Sequence, residues 1–167
     1  NLEKEIDIAV QAGISIINGL HTLLKPNYPK LQSGQWIWDI RPEPSGLSIG
    51  KAKARSLSTQ RILTVGTDMA IGKMSASLEI HRAALAAGIK AQFVATGQAG
   101  IAIAGGGIAL DAVRVDFAAG AVEKTVLEVA QDNELIIIEG QGSLLHPGST
   151  ATLPLIRGSQ PTGLILV

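Results

Sequence analysis

Arg61-Ile62-Leu63-Thr64-Val65-Gly66-Thr67-Asp68-Met69-Ala70-Ile71-Gly72-Lys73-Met74-Ser75 is the stretch whose reading decides the fold. Ile62, Leu63 and Val65 make a short apolar run with strand character. The residues from Gly72 to Ala87 contain no proline and carry apolar residues at helical spacing. A glycine-bearing turn between a strand and a helix points backbone N–H groups toward the positive end of the helix dipole, and Lys73 adds an ammonium there. Such a turn is built to hold a di- or triphosphate. The usual phosphate loop reads G-x-x-x-x-G-K-[ST]. Here five residues separate Gly66 from Gly72, and Met74 stands where the Mg²⁺-binding hydroxyl is expected. The next residue, Ser75, supplies a hydroxyl about 100° further round the helix. The binding residues expected are therefore Gly66, Thr67, Asp68, Ala70, Ile71, Gly72, Lys73, Met74 and Ser75, with only weak or absent metal ligation by Ser75.

Outward from this loop, strands are expected at 61–65, 90–95, 135–139 and 163–167. Helices are expected at 72–87, 116–131 and 151–157. Alternation of this kind predicts an α/β fold, an open and mostly parallel sheet with flanking helices, whose ligands bind at the carboxyl ends of the strands. Leu135-Ile136-Ile137-Ile138-Glu139-Gly140-Gln141-Gly142 is an apolar strand that ends in a carboxylate followed by glycines. A carboxylate so placed can hold or orient Mg²⁺ beside phosphates, or it can cap a neighbouring turn. Thr96-Gly97-Gln98-Ala99-Gly100 and Gly105-Gly106-Gly107 follow another strand at the same edge; their glycines permit either a close ligand or a flexible connection. Thr96, Gly97 and Gln98 are the site candidates there. Asp116 reads as a helix cap, while Asp111 is open to a structural or a chemical role. His146, in a loop beyond the acidic strand, is a candidate for proton transfer. His81 falls within a helix and His21 has no partner pattern.

The first 58 residues differ in character. Residues 2–12 read as an amphipathic helix stopped by Gly13, and 14–17 as a short buried strand. Pro26, Pro29, Pro42 and Pro44, with Gly34, Gly46 and Gly50, then mark irregular chain around a short Trp36–Asp39 strand. We expect residues 1–58 to be the remnant of an N-terminal domain plus a connector, and 59–167 a phosphate-loop α/β domain truncated at its C-terminus. The absence of an initiator Met and the final bare strand, Gly163-Leu164-Ile165-Leu166-Val167, underlie that expectation of a fragment.

Composition narrows the function. Lys plus Arg and Asp plus Glu number 14 each in 167 residues, so no basic field exists to gather a nucleic acid. Cysteine is absent, which rules out disulfides, thiolate metal sites and a cysteine nucleophile. No apolar run approaches transmembrane length and no signal peptide is visible, so a cytoplasmic location and no membrane partner are expected.

The Gly-Thr-Asp opening and the five-residue spacing resemble dethiobiotin synthetase and related phosphate-loop proteins, as do Glu139-Gly140 and Thr96-Gly97. Two departures are Met74 and Gln92, the latter near a position where those enzymes carry lysine. A closer likeness runs through Gly13–His21, Val65–Met74, Thr96-Gly97-Gln98, Asp111–Val113, Asp116-Phe117, Gly120–Glu123, Glu139–Ser143 and His146-Pro147. It resembles a bacterial family first catalogued without a function and associated with D-glutamate N-acetyltransferase, in which Met after Gly-Lys is normal and an N-terminal Rossmann-like domain precedes the loop.

The resemblances imply alternatives. With ATP, Lys73 and the loop hold β/γ-phosphates, and Glu139 and Ser75 are the candidate Mg²⁺ ligands. With acetyl-CoA, the loop holds a pyrophosphate and His146 or Glu139 deprotonates an amine. The candidate catalytic residues are Lys73, Glu139, His146 and Gln98. A non-catalytic, nucleotide-controlled assembly module is a third reading. The partners expected are a small-molecule substrate, an acidic amino acid under the closer resemblance, and further copies of the chain.

Overall fold

The structure, a computed structural model, describes residues 1–167. Its contacts divide the chain into two compact units, Asn1–Pro42 and Glu43–Val167.

The first unit begins with helix α1 (Leu2–Gln11), whose first-turn Glu3 N–H is capped by the Asn1 side chain at 3.2 Å. Strands β1 (Ile16–Asn18) and β2 (Ile37–Asp39) pair in parallel, so the first lies slightly later than the expected 14–17. Asp39 ties this unit together. Its carboxylate accepts from Asn18 Nδ2 at 2.6 Å, Leu24 N at 2.9 Å and Lys25 N at 2.9 Å. Burial pushes the Asp39 carboxyl up, but these donors outweigh it and hold it below the ordinary carboxylate value. A depressed folded-state value stabilises the fold above the unfolded value, near 4, and the stabilisation is lost as pH falls through the depressed one. Thermal melts from pH 7 to 3 should therefore show a smaller acid-side loss for Asp39→Ala than for wild type, from a lower starting melting temperature. Parallel pH profiles for the two proteins would contradict this.

The second unit carries the sheet. Strands β3 (Gln60–Val65), β4 (Ala91–Val94), β5 (Leu135–Ile138) and β6 (Gly163–Leu166) lie in the order β4-β5-β3-β6, all parallel. The helices are α2 (Lys73–Ala86), α3 (Gln98–Ala104), α4 (Val115–Ala130) and α5 (Thr152–Ser159). One face of β5 puts Ile136 and Ile138 with Val122, Val126 and Leu155 of α4 and α5. The other puts Ile137 with Ile80 and Ala84 of α2. Both faces are covered, which is why β5 is apolar at every position instead of alternating. All four expected strands and three expected helices are present; α3 is an addition, in a segment read from sequence as glycine-rich loop.

The contact division falls at Pro42/Glu43 and not at residue 58. Residues 43–58 fold onto the second unit because their backbone is bonded to it. Glu123 of α4 accepts from Lys51 N at 3.0 Å and Lys53 N at 2.5 Å, and Glu43 accepts from Arg114 N at 3.0 Å. At Gly120 a Cβ would lie 1.8 Å from Ser48 O, so only glycine lets this segment cross α4. The prolines and glycines that make it look like a linker say nothing of these distant acceptors.

Candidate functional site

Lys73 sits where β3 feeds α2. Gly72 caps the helix at φ 107°, a left-handed conformation that favours glycine, and Ala70 is also left-handed at φ 56°. Gly66 is covered by Ile71: a Cβ there would lie 2.5 Å from Ile71 Cδ1 and 3.2 Å from Lys73 Cδ. The lysine stem runs on past Gly140, where a Cβ would meet its Cδ at 3.0 Å. Its ammonium donates to Asp68 O at 2.7 Å. Only 7% of Lys73 is exposed, and desolvation lowers its pKa against the opposing pull of Asp68. A buried cation bonded to one carbonyl, at a helix N-terminus, suits an incoming phosphate.

Glu139 lies at the end of β5 and is 2% exposed. Its Oε2 accepts from Thr96 N at 2.8 Å and Gly97 N at 3.1 Å, and its Oε1 from Gln141 Nε2 at 3.2 Å. The carboxylate thus fixes, from far along the chain, the two residues that lead into α3. Gly97 and Gly100 are the room this needs, since Cβ atoms there would lie 2.0 Å from Gln141 Nε2 and 2.3 Å from Glu139 Oε2. Desolvation raises the Glu139 pKa, with the three donors pulling the other way. A carboxyl raised in the folded state costs stability as pH climbs from its ordinary value through the raised one. Urea unfolding of Glu139→Gln should therefore gain on wild type as pH rises from 4.5 to 7; a constant difference between the two would refute this.

A polar pair joins the two halves. Thr64 Oγ1 accepts from Gly140 N at 2.9 Å and lies 2.9 Å from Ser77 Oγ of α2, all buried between sheet and helix. The loop and the acidic turn are thereby held against each other across a cavity of about 460 Å³. Of the expected site residues, Ala70, Ile71, Gly72, Lys73, Met74, Ser75 and Glu139 line it. Gly66 is buried, Thr67 and Asp68 are exposed and line no part of the cavity, and Thr96 and Gly97 hold Glu139 through their N–H groups. Gln98 is exposed in the first turn of α3. His146 is exposed and lines no part of this space; its Nδ1 accepts from Gly148 N at 3.0 Å, which places the neutral ring's proton on Nε2. Met69, Asp111, Gly140, Gln141, Gly142, Ser149 and Ala151 complete the wall and were not singled out by sequence reasoning as site residues. For Gln141 and Gly142 the signal was there, in the glycine-punctuated turn after the acidic strand. For Asp111 the sequence left a structural and a chemical role open; for Ser149 it gave no signal, because long-range folding brings it in.

The usual Mg²⁺ ligand is missing from the loop, although Ser75 and Glu139 both line the cavity. Met74 offers no hydroxyl at the usual position, both Glu139 oxygens accept protein hydrogen bonds, and Asp68 Oδ1 accepts from Met69 N at 2.7 Å. No cluster of three or more His, Asp or Glu side chains suitable for a metal is assembled in the molecule. The one cationic side chain in the cavity wall is Lys73, at the N-terminus of α2.

Comparison with known proteins agrees with this architecture. Residues 48–167 match the P-loop domain of a family described as a domain of unknown function, DUF1611, and residues 1–43 match its Rossmann-like N-terminal domain. A crystal structure of a DUF1611 family protein from Anabaena variabilis ATCC 29413 superposes with a TM-score of 0.94 at 59% identity, over 99% of this chain and 49% of that one. A protein named D-glutamate N-acetyltransferase from a Pseudoalteromonas species is 40% identical over 96% of this chain and 49% of its own length. One of the same name from Tritonibacter scottomollicae is 40% identical over 98% and 50%. The chain thus spans about half the length of the curated relatives it matches. No helix is long and apolar enough to cross a membrane.

Proposed function

Because the chain belongs to the DUF1611 family, we propose that it supplies the phosphate-binding half of an acyltransferase that moves an acetyl group from acetyl-CoA to the amine of an acidic amino acid. The name shared by the two curated relatives supports the substrate class, with D-glutamate as the acceptor. The observation that carries the reading is the cavity around Lys73, where a buried ammonium stands at a helix N-terminus and the loop has Met74 in place of the usual metal-binding hydroxyl. In this reading the CoA diphosphate replaces Asp68 O as the partner of Lys73 Nζ and takes hydrogen bonds from amides at the start of α2. The thioester then lies beyond the cradle, and its developing oxyanion is stabilised by N–H donors of the surrounding turns.

Calorimetric titration tests this with acetyl-CoA and with ATP, each in Mg²⁺ and in EDTA. The expected result is acetyl-CoA binding that is the same in both buffers, accompanied in the full-length protein by acetylation of D-glutamate. Tight binding of ATP only with Mg²⁺, and none of acetyl-CoA, would overturn the proposal in favour of a kinase or ligase.

A further inference from the structure

Another cavity, of about 250 Å³, shares no lining residue with the phosphate cavity. It lies between the strap of residues 48–53 and the face of α4 on which Gly120, Lys124 and Glu128 recur at four-residue spacing. Lys51 and Lys53 of the strap line it together with Lys124 of the helix. We infer that this cavity is a second anion site, in which the three lysines together hold a small dianion of the phosphate or dicarboxylate class. The inference stands apart from the acyl-transfer reading and concerns residues which that reading does not use.

The charges around the cavity are unequal. Three ammonium groups stand against two carboxylates, and the carboxylates are not equivalent. Glu123 is 5% exposed, and its oxygens accept from Lys51 N and Lys53 N at 3.0 and 2.5 Å. Its charge is thereby met by the strap's backbone, and the two lysines enter those bonds through main-chain amides rather than through their ammonium groups. The ion pairs of this unit, Glu79–Arg82 and Glu43–Arg114, involve none of the three lysines. Glu128, exposed on the helix face, is the one other carboxylate beside them. Like charges gathered round one concavity repel each other, and a doubly charged anion among them relieves that repulsion.

The lysines are exposed, but the frame that carries them is fixed. The strap crosses α4 so closely that a Cβ at Gly50 would lie 3.3 Å from Gly120 N. Between the two strap lysines Ala52 is left-handed at φ 55°, and the chain turns there so that both neighbouring amides reach one carboxylate. Ala54, just beyond, is fully buried in the main core. Two of the three cations are thus mounted on main chain anchored on both sides, which lowers the ordering cost of capturing an anion. The volume is below that of pockets for drug-sized ligands, which favours a small occupant over a nucleotide.

The test is calorimetric titration of the full-length protein with inorganic phosphate and, separately, with succinate, at constant ionic strength because salt screens exposed charges. Lys73→Met serves as the background, so that phosphate held in the other cavity is not counted. The expected result is saturable one-to-one binding in that background, with the tighter probe naming the class of dianion. Adding Lys53→Gln or Lys124→Gln should weaken it about tenfold, the loss of one hydrogen bond to a charged group. Lys90→Gln, outside the cavity, should change nothing. Glu128→Gln should act in the opposite sense and tighten binding, which a merely structural defect would not do. The melting temperature should rise with dianion concentration in the background protein, and much less once Lys53→Gln and Lys124→Gln are combined. Heats that do not saturate with either probe, or equal weakening by Lys90→Gln and Lys53→Gln, would mean a general salt effect and overturn the inference. So would binding seen in wild type that vanishes in Lys73→Met, which would trace the anion to the phosphate cavity.

Discussion

Replacing Lys73 with methionine is expected to weaken acetyl-CoA binding by roughly 100-fold, equivalent to about 3 kcal/mol, the upper range for a hydrogen bond to a charged group. Methionine is the informative choice because the lysine stem packs past Gly66 and Gly140, and truncation to alanine would leave a gap there. Fold stability should be unchanged or slightly higher. Lys73 is desolvated and its ammonium is held down by that burial, so the folded state bears a cost for the charge that methionine does not. The same depression predicts a proton effect. On the alkaline side, part of the free protein carries neutral Lys73, and a bound diphosphate restores the charge. Binding should then take up protons, visible as a heat that varies with the ionisation enthalpy of the buffer. Lys73→Met should abolish that variation. Equal affinity of variant and wild type would remove Lys73 from the cradle, and buffer-independent heats in the wild type would refute the protonation argument.

The largest loss of stability is expected at Gly140. A Cβ there would lie 1.9 Å from Thr64 O, an atom of the β3 backbone where that strand is paired with β6. The Gly140 N–H is meanwhile bonded to Thr64 Oγ1, so the turn cannot slide away without abandoning a buried bond. Gly140→Ala should cost at least about 4 kcal/mol, the exceptional end of single substitutions, and lose ligand binding with it. Gly106→Ala is the control. Nothing lies within 4 Å of a Cβ at Gly106, and its φ lies outside the left-handed range. It should be within about 1 kcal/mol of wild type by urea unfolding. Similar costs for the two substitutions would show that close approach at Gly140 is not what demands glycine.

Those two glycines also mark what could be read from the sequence. Both occur in glycine-rich sequence beyond an apolar strand and local pattern treats them alike, although α3 stands between β4 and Gly106. β3, α2 and β5 were legible because their signals are local: an apolar run, helical spacing and the glycine-lysine turn between them. The start of α3 was not, since it is held by Glu139, more than forty positions along the chain. The phosphate loop was legible for the same local reason, down to Lys73. Asp111 carried no local signal strong enough to separate a structural from a chemical role, because the wall it completes is assembled from loops after different strands. The connector erred in the opposite sense: its prolines and glycines look like a linker, while the acceptor on Glu123 that folds it down is far off in sequence.

Thr96 is bonded to both acids' supports. Its hydroxyl donates to Glu139 O, its N–H donates to the Glu139 carboxylate, and its carbonyl receives Leu110 N beside Asp111. Both acidic turns are therefore bonded to a single residue just beyond β4, and breathing of the sheet that shifts Thr96 carries the pair with it. The two turns are registered to one another through hydrogen bonds to one residue, so a substitution elsewhere in the domain that displaces Thr96 is felt at both of them together.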